Sequence, residues 1–188
     1  MPASGIRGIH DIPLGSHLCL FYRRPTEFLR VTASFLKAGL AERELCVWVL
    51  PPPLTILVAL DELSNHGLHG PALQAEKQLH ISSAEDWYGD GAFDVDDSLD
   101  RLTALPAMAR QLGYTGVRAV GGPGQFLSEE RRQAFMRYER HATAVIAEHP
   151  FIGLCCYASI RCLATDMFDI MCAHPRALLR THGGWASI

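Results

Sequence analysis

The chain has 188 residues, 48% hydrophobic and 20% charged, enough to bury one substantial core, and a single domain over residues 1–188 is expected. A net charge of -3 argues against a dedicated nucleic-acid surface, which needs clustered Lys and Arg to neutralise phosphates. The longest apolar runs are strand-sized and residues 1–7 lack the blocks of a secretory signal, so no membrane span is expected, and the six cysteines read as reduced thiols of a cytoplasmic protein.

The first predicted element is a strand over 18–22, within Gly15-Ser16-His17-Leu18-Cys19-Leu20-Phe21-Tyr22, and it opens a strand-loop-helix unit. In a nucleotide-binding α/β protein the next loop holds glycines and a lysine around the phosphates, but here it reads Arg23-Arg24-Pro25-Thr26-Glu27. ATP with magnesium is therefore not expected to bind usefully. A helix follows over 26–41, with Phe28, Val31, Phe35, Leu36 and Leu40 on one face. Leu45-Cys46-Val47-Trp48-Val49-Leu50 is a continuous apolar run of the kind expected for a central strand, ended by Pro51-Pro52-Pro53. A helix over 54–63 has proline at its start.

Gly67 and Gly70-Pro71 break the chain before a short strand at 78–81 and an acidic-aromatic turn over 84–91. Asp94 caps a helix running to 112, which Pro106 should kink. The next strand, 116–120, empties into Gly121-Gly122-Pro123-Gly124-Gln125. Ser128 caps a long helix to 148, whose Arg131, Arg132, Arg137 and Arg140 with Glu129, Glu130 and Glu139 read as a solvated face of mixed charge. A buried strand over 151–157, a helix over 163–172, a break at His174-Pro175 and a short strand over 177–180 complete the order. Alternating strands and helices imply a mainly parallel sheet covered on both faces.

Several pieces of the sequence form an ordered set: His17-x-Cys19-x-Phe21-Tyr22, Phe35-Leu36-x-Ala38-Gly39-Leu40, the strand 46–50 with its proline, Glu85-x-Trp87-Tyr88, Gly91-x-Phe93-Asp94, Cys155-Cys156-Tyr157 and His174-Pro175. In this set the chain resembles the MEDS domain, the sensory domain named for methanogen and methylotroph proteins and the DcmR regulator. The resemblance implies a three-layer α/β fold, a mainly parallel sheet with helices on both faces, RecA/KaiC-like without a Walker A loop. It also implies a sensor joined to, or acting on, signalling and transcription proteins. Two departures stand out: Gly121-Gly122-Pro123 where an acidic residue is expected in the family, and Ala158 where aspartate is common.

In a doubly wound sheet ligands bind beyond the strand carboxyl ends, where Tyr22, Arg23, Gly121, Gly122, Gln125 and Tyr157 fall. RecA-like order makes the strands 18–22 and 151–157 neighbours, so that Tyr22 and Tyr157 would share a crevice suited to a small, mostly apolar effector. The bland alternative is that they cap the core. His17 and Cys19, two apart on a strand, project to one face, with Cys155 a candidate on the neighbouring strand. Imidazole and sulfur suit copper(I), zinc or haem iron, but no closed four-ligand spacing is present, and no resident metal or other cofactor is expected. Trp87 and Tyr88 offer either a lid over the crevice or an anchor packed into the core. Gly121-Gly122-Pro123-Gly124 offers backbone N–H groups to an anion, or simply a tight turn.

The sequence thus points to a non-enzymatic sensor of a small apolar or weakly polar effector, signalling to a regulatory protein partner or a fused output domain. Direct nucleic-acid or membrane contact is not expected, and a homodimer is left open. The candidate switching segments are 23–27 and 84–91. Three rivals remain at this stage. One is a metal- or haem-linked sensor through His and Cys; another is a pure interaction module. The third is a residual nucleotide-binding enzyme, which would lack both GxxxxGK[ST] and GxSxG.

Overall fold

A computed structural model describes residues 1–89, 93–123 and 129–188. The elements follow in the order β1 (Ser16–Tyr22), α1 (Pro25–Ala41), β2 (Leu45–Leu50), α2 (Ile56–Asn65), α3 (Gly70–Ala75), β3 (Leu79–Ser83), α4 (Ala84–Tyr88), α5 (Val95–Gln111), β4 (Val117–Gly121), α6 (Glu129–Ala147), β5 (Phe151–Ala158), α7 (Ala164–Ala173), β6 (Arg176–Thr181) and β7 (Gly184–Ser187). The strands form one sheet in the order β3-β2-β4-β5-β1-β6-β7. All pairs are parallel except β6 with β7, an antiparallel hairpin beyond the expected terminal strand. The mainly parallel α/β architecture and the pairing of β1 with β5 are therefore as expected from the sequence.

The central strands are buried on both faces, which is why β1, β2 and β5 read as nearly unbroken apolar runs. One face packs on α1 and α2 through Phe28, Phe35, Leu36 and Leu63 against Leu18, Leu20, Trp48 and Ile152. The other packs on α4, α5, α6 and α7 through Tyr88, Leu102, Phe135, Tyr138 and Ile170 against Cys19, Phe21, Val47 and Tyr157. Asp94 caps α5 as expected, its carboxylate accepting from the N–H groups of Asp96 and Asp97 at 3.0 and 3.1 Å, and the helix continues through Pro106. The short α3 and α4 and a 3-10 turn at Ser159–Arg161 add to the expected elements.

On the α1 face, β4 carries Arg118, fully buried. Its guanidinium binds Glu44 with two nitrogens, Nε to Oε2 at 2.5 Å and Nη2 to Oε1 at 3.3 Å, and Nη1 donates to the carbonyls of Ala3 and Phe35. It stands 4.9 Å from the Phe35 ring centre. Gly39 of α1 makes room for it, since a Cβ there would lie 2.6 Å from Arg118 Cδ. The pair ties the N-terminal segment, α1 and β4 into one unit.

Candidate functional site

The register of β1 on β5 decides which side chains meet. His17 lies opposite Gly153, Cys19 opposite Cys155 and Phe21 opposite Tyr157, so these six positions share the α6 face. Tyr22 is one residue out of phase and packs with Leu18 and Leu20 on the α1 face, 5.2 Å from the Phe28 ring. The expected crevice between Tyr22 and Tyr157 is thus not formed: a one-residue step on a strand sends the two rings to opposite faces. Tyr157 is 1% exposed and packs among Phe21, Phe135 and His174, so it is core and not an edge residue.

Beneath α6, four ligand-type groups converge. His17 Nε2 stands 3.2 Å from Cys155 Sγ and 3.3 Å from Glu139 Oε2. Cys155 Sγ is 3.3 Å from the same carboxylate oxygen, and so is His174 Nε2. Tyr157 donates its hydroxyl to Glu139 Oε1 in a short hydrogen bond. Gly153 leaves space for the imidazole, because a Cβ there would lie 3.1 Å from His17 Cδ2. Cys19, although on this face, points elsewhere, its thiol 3.7 Å from the Arg176 carbonyl.

Two of these residues were misread or passed over in the sequence. Glu139 was assigned to a solvated mixed-charge face, yet its side chain is fully buried. Its position gives the signal: it lies four residues after Phe135, three before Ala142 and seven before Ile146, on the apolar stripe of α6. His174, expected only at a break, follows Ile170 by four residues and continues the buried side of α7.

The hydrogen bonds outside the cluster set the imidazole tautomers. His174 Nδ1 lies 2.7 Å from the Ile170 carbonyl, which can only accept, so Nδ1 carries the proton. Thr143 Oγ1 spends its one hydrogen on the carbonyl of Glu139 or Ala173, both at 3.0 Å, and so accepts from His17 Nδ1 at 2.7 Å. In their neutral forms both rings turn an Nε2 lone pair inward. His174 Nε2 stands close to Glu139 without forming a hydrogen bond and has no other partner among the described residues.

Electrostatics follow from this packing. Burial pushes the Glu139 carboxyl upward, whereas protonated His174 and His17 beside it, with the Tyr157 hydroxyl, would hold it down at about 2. Burial, then His174, lowers His17 to about 3. Burial and the neighbouring Glu139 raise the Cys155 thiol well above its ordinary value, and Cys19 rises to about 12 for the same reasons.

A small space of about 30 Å³ lies between the sheet and α4, α5 and α6, lined by His17, Cys155, Val47, Trp87, Tyr88, Leu102, Tyr138 and Gly121 among others. Tyr88 is 5% exposed and meets Phe93, Phe135 and Tyr138 edge-on, so it anchors the core and is no lid; Trp87 lines the space beside it. Gly121 and Gly122 serve close packing, since added Cβ atoms would collide with Val49 and with the Cys156 carbonyl, while Gly124 of the same loop lies outside the described residues. Gln125, Ser128 and Gly91 lie outside the described residues. Arg23 lies apart from the cluster, in an open groove of about 810 Å³ that also involves Arg7, Arg24, Arg30 and Arg180. Glu27 accepts the Arg23 N–H at 2.8 Å and lies 3.5 Å from Arg180 Nε, so a carboxylate of the chain itself occupies the start of α1.

Comparison with known proteins agrees with this architecture. A KaiC-like protein from the hyperthermophilic archaeon Pyrococcus horikoshii superposes with a TM-score of 0.64 at 15% identity, over 99% of this chain and 86% of that one, a likeness of fold alone. No curated protein matches the sequence. No helix among the described residues is long and apolar enough to cross a membrane. The family model described as the methanogen/methylotroph, DcmR sensory domain matches residues 16–175, a span that takes in His17 near its start and His174 near its end. The chain therefore belongs to the MEDS family of sensory domains.

Proposed function

We propose that this domain senses a small, apolar or weakly polar molecule in the space between the sheet and α4 to α6, and passes the change to a regulatory protein or output domain without catalysing a reaction. The observation that carries the reading is the aromatic-lined space of about 30 Å³ whose lining includes His17 and Cys155. Its volume suits one very small molecule, and its lining offers mostly apolar contact with the polar groups of His17 and Cys155 among it. The family's name points to methanogens and methylotrophs, organisms that live on one-carbon compounds. Enzymatic use of the ancestral nucleotide site is disfavoured by the Arg23-Arg24-Pro25 loop and by Glu27 at the start of α1.

A route outward runs along the same elements. β1 carries His17 near one end and leads to Arg23 beyond the other, while His174 precedes β6, which carries Arg180. Both strands end at the arginine-lined groove, so a shift at the cluster reaches a cationic surface suited to an acidic partner segment. Thermal melting with methanol, methanethiol or chloromethane tests the sensing reading. At least one probe is expected to raise the melting temperature with concentration, and Ala119→Val, which fills the space, is expected to abolish the rise. No response to any probe, or an equal response in the variant, would contradict it.

A further inference from the structure

The structure assigns to His17, Glu139, Cys155 and His174 a site for one divalent transition-metal ion, with zinc the best match. This deepens and rests on the sensing reading, because two of the four residues, His17 and Cys155, line the same cavity. The argument starts from an imbalance. Glu139 offers two carboxylate oxygens and each imidazole an inward lone pair, while only the Tyr157 hydroxyl and the Cys155 thiol donate into the group among the described residues. Acceptors crowded in a dry interior repel one another unless a cation stands between them.

Spacing supports a metal in that role. Tetrahedral zinc with Zn–N near 2.0–2.1 Å and Zn–S near 2.3 Å places its donor atoms about 3.4 Å apart. The separations here are 3.2 Å from His17 to Cys155 and 3.3 Å for each of the three contacts to Glu139 Oε2, and one donor atom from each residue lies within 4.8 Å of all the others. The outer contacts match what ligating histidines require. Each ring donates its Nδ1 proton to a fixed acceptor, Thr143 or the Ile170 carbonyl, and leaves Nε2 for the ion. Two imidazoles, a carboxylate and a thiolate form a mixed donor set suited to zinc.

Charge closes the argument. On binding, Cys155 releases its thiol proton to water and becomes thiolate; with the Glu139 carboxylate it supplies two negative charges, which a divalent ion cancels. A neutral centre can be buried where a bare carboxylate is costly. Cys155 is the least buried of the four and borders the cavity, so a small molecule in that space would meet the ion from the thiolate side.

The test uses the full chain, purified without chelator or histidine tag, and titrated with Zn(II) and Co(II). About one equivalent of zinc by elemental analysis is expected, together with a thiolate-to-cobalt charge-transfer band. Cys155→Ser is expected to lose that band and Cys19→Ser to keep it. If Cys155→Ser fails to fold, His174→Gln, checked by circular dichroism, is expected to weaken Co(II) binding at least tenfold. Wild-type protein that takes up neither ion, or a charge-transfer band that survives Cys155→Ser, would overturn the inference. Failure here is separable from failure of the sensing reading: a melting response to the one-carbon probes without metal uptake sinks only the metal site, and uptake without a response sinks only the sensing.

Discussion

On the α1 face of the sheet, Glu44 meets a guanidinium that supplies two donors to it, and Arg118 Nη1 donates to two backbone carbonyls. On the α6 face, Glu139 is buried at least as deeply but meets two imidazole lone pairs, one thiol and one phenol. Donors and acceptors are matched on the first face and mismatched on the second. Burial of a carboxylate does not by itself distinguish a structural strut from a site; the balance of donors around it does. The first pair locks α1 to β4, whereas the second group holds a place that the protein's own donors leave incomplete.

The largest expected effect comes from breaking the matched face. Arg118→Met leaves Glu44 buried without its partner and is expected to cost about 3–5 kcal/mol, measured by urea denaturation. A change below about 1 kcal/mol would mean that the pair is not holding the face together. On the other face, Tyr157→Phe removes the hydroxyl from Glu139 Oε1 and is expected to cost about 1.5–3 kcal/mol, with the aromatic packing kept. Tyr157→Ala, a full truncation of a buried ring, should exceed it by the same assay.

Acid sharpens the comparison further. His17 is held at about 3 in the folded protein against an ordinary 6.5, so the unfolded chain takes up this proton first and metal-free protein loses stability as pH falls from about 6.5 toward 3. Denaturation midpoints at pH 7 and pH 5 should fall for the wild type and fall less for His17→Gln; equal slopes would remove His17 from the explanation. The smallest effect is expected for Glu139→Gln in metal-free protein, within about 1 kcal/mol, because the amide supplies a donor where acceptors are in excess. The same variant should lose the stabilisation that zinc confers, whereas an equal zinc response in variant and wild type would place the ion elsewhere.

Much of the fold was legible in the sequence. Continuous apolar runs marked β2 and β5, Asp94 marked the start of α5, and the RecA-like order that the family resemblance implies placed β1 beside β5. The antiparallel β7 was not read, since a four-residue strand after Gly183-Gly184 carries too few alternating positions to register. The site was only half legible. His17 and Cys155 were named from their strands, but the phase between β1 and β5 separates Tyr22 from Tyr157 and cannot be taken from either strand alone. Glu139 sits among surface charges in sequence and on the buried stripe in space, and helical phase was the signal that would have separated the two. His174 enters only because α7 carries it back beneath the sheet, a contact between residues more than a hundred positions apart.

The most direct measurement of the central claim is X-ray absorption at the zinc edge of the fully loaded full chain. The donor set on the α6 face should give a first shell of imidazole nitrogens, one sulfur and one oxygen, with a Zn–S distance near 2.3 Å. A shell without sulfur, or one made of water oxygens with surface histidines, would contradict the assignment of the unmatched face to a metal.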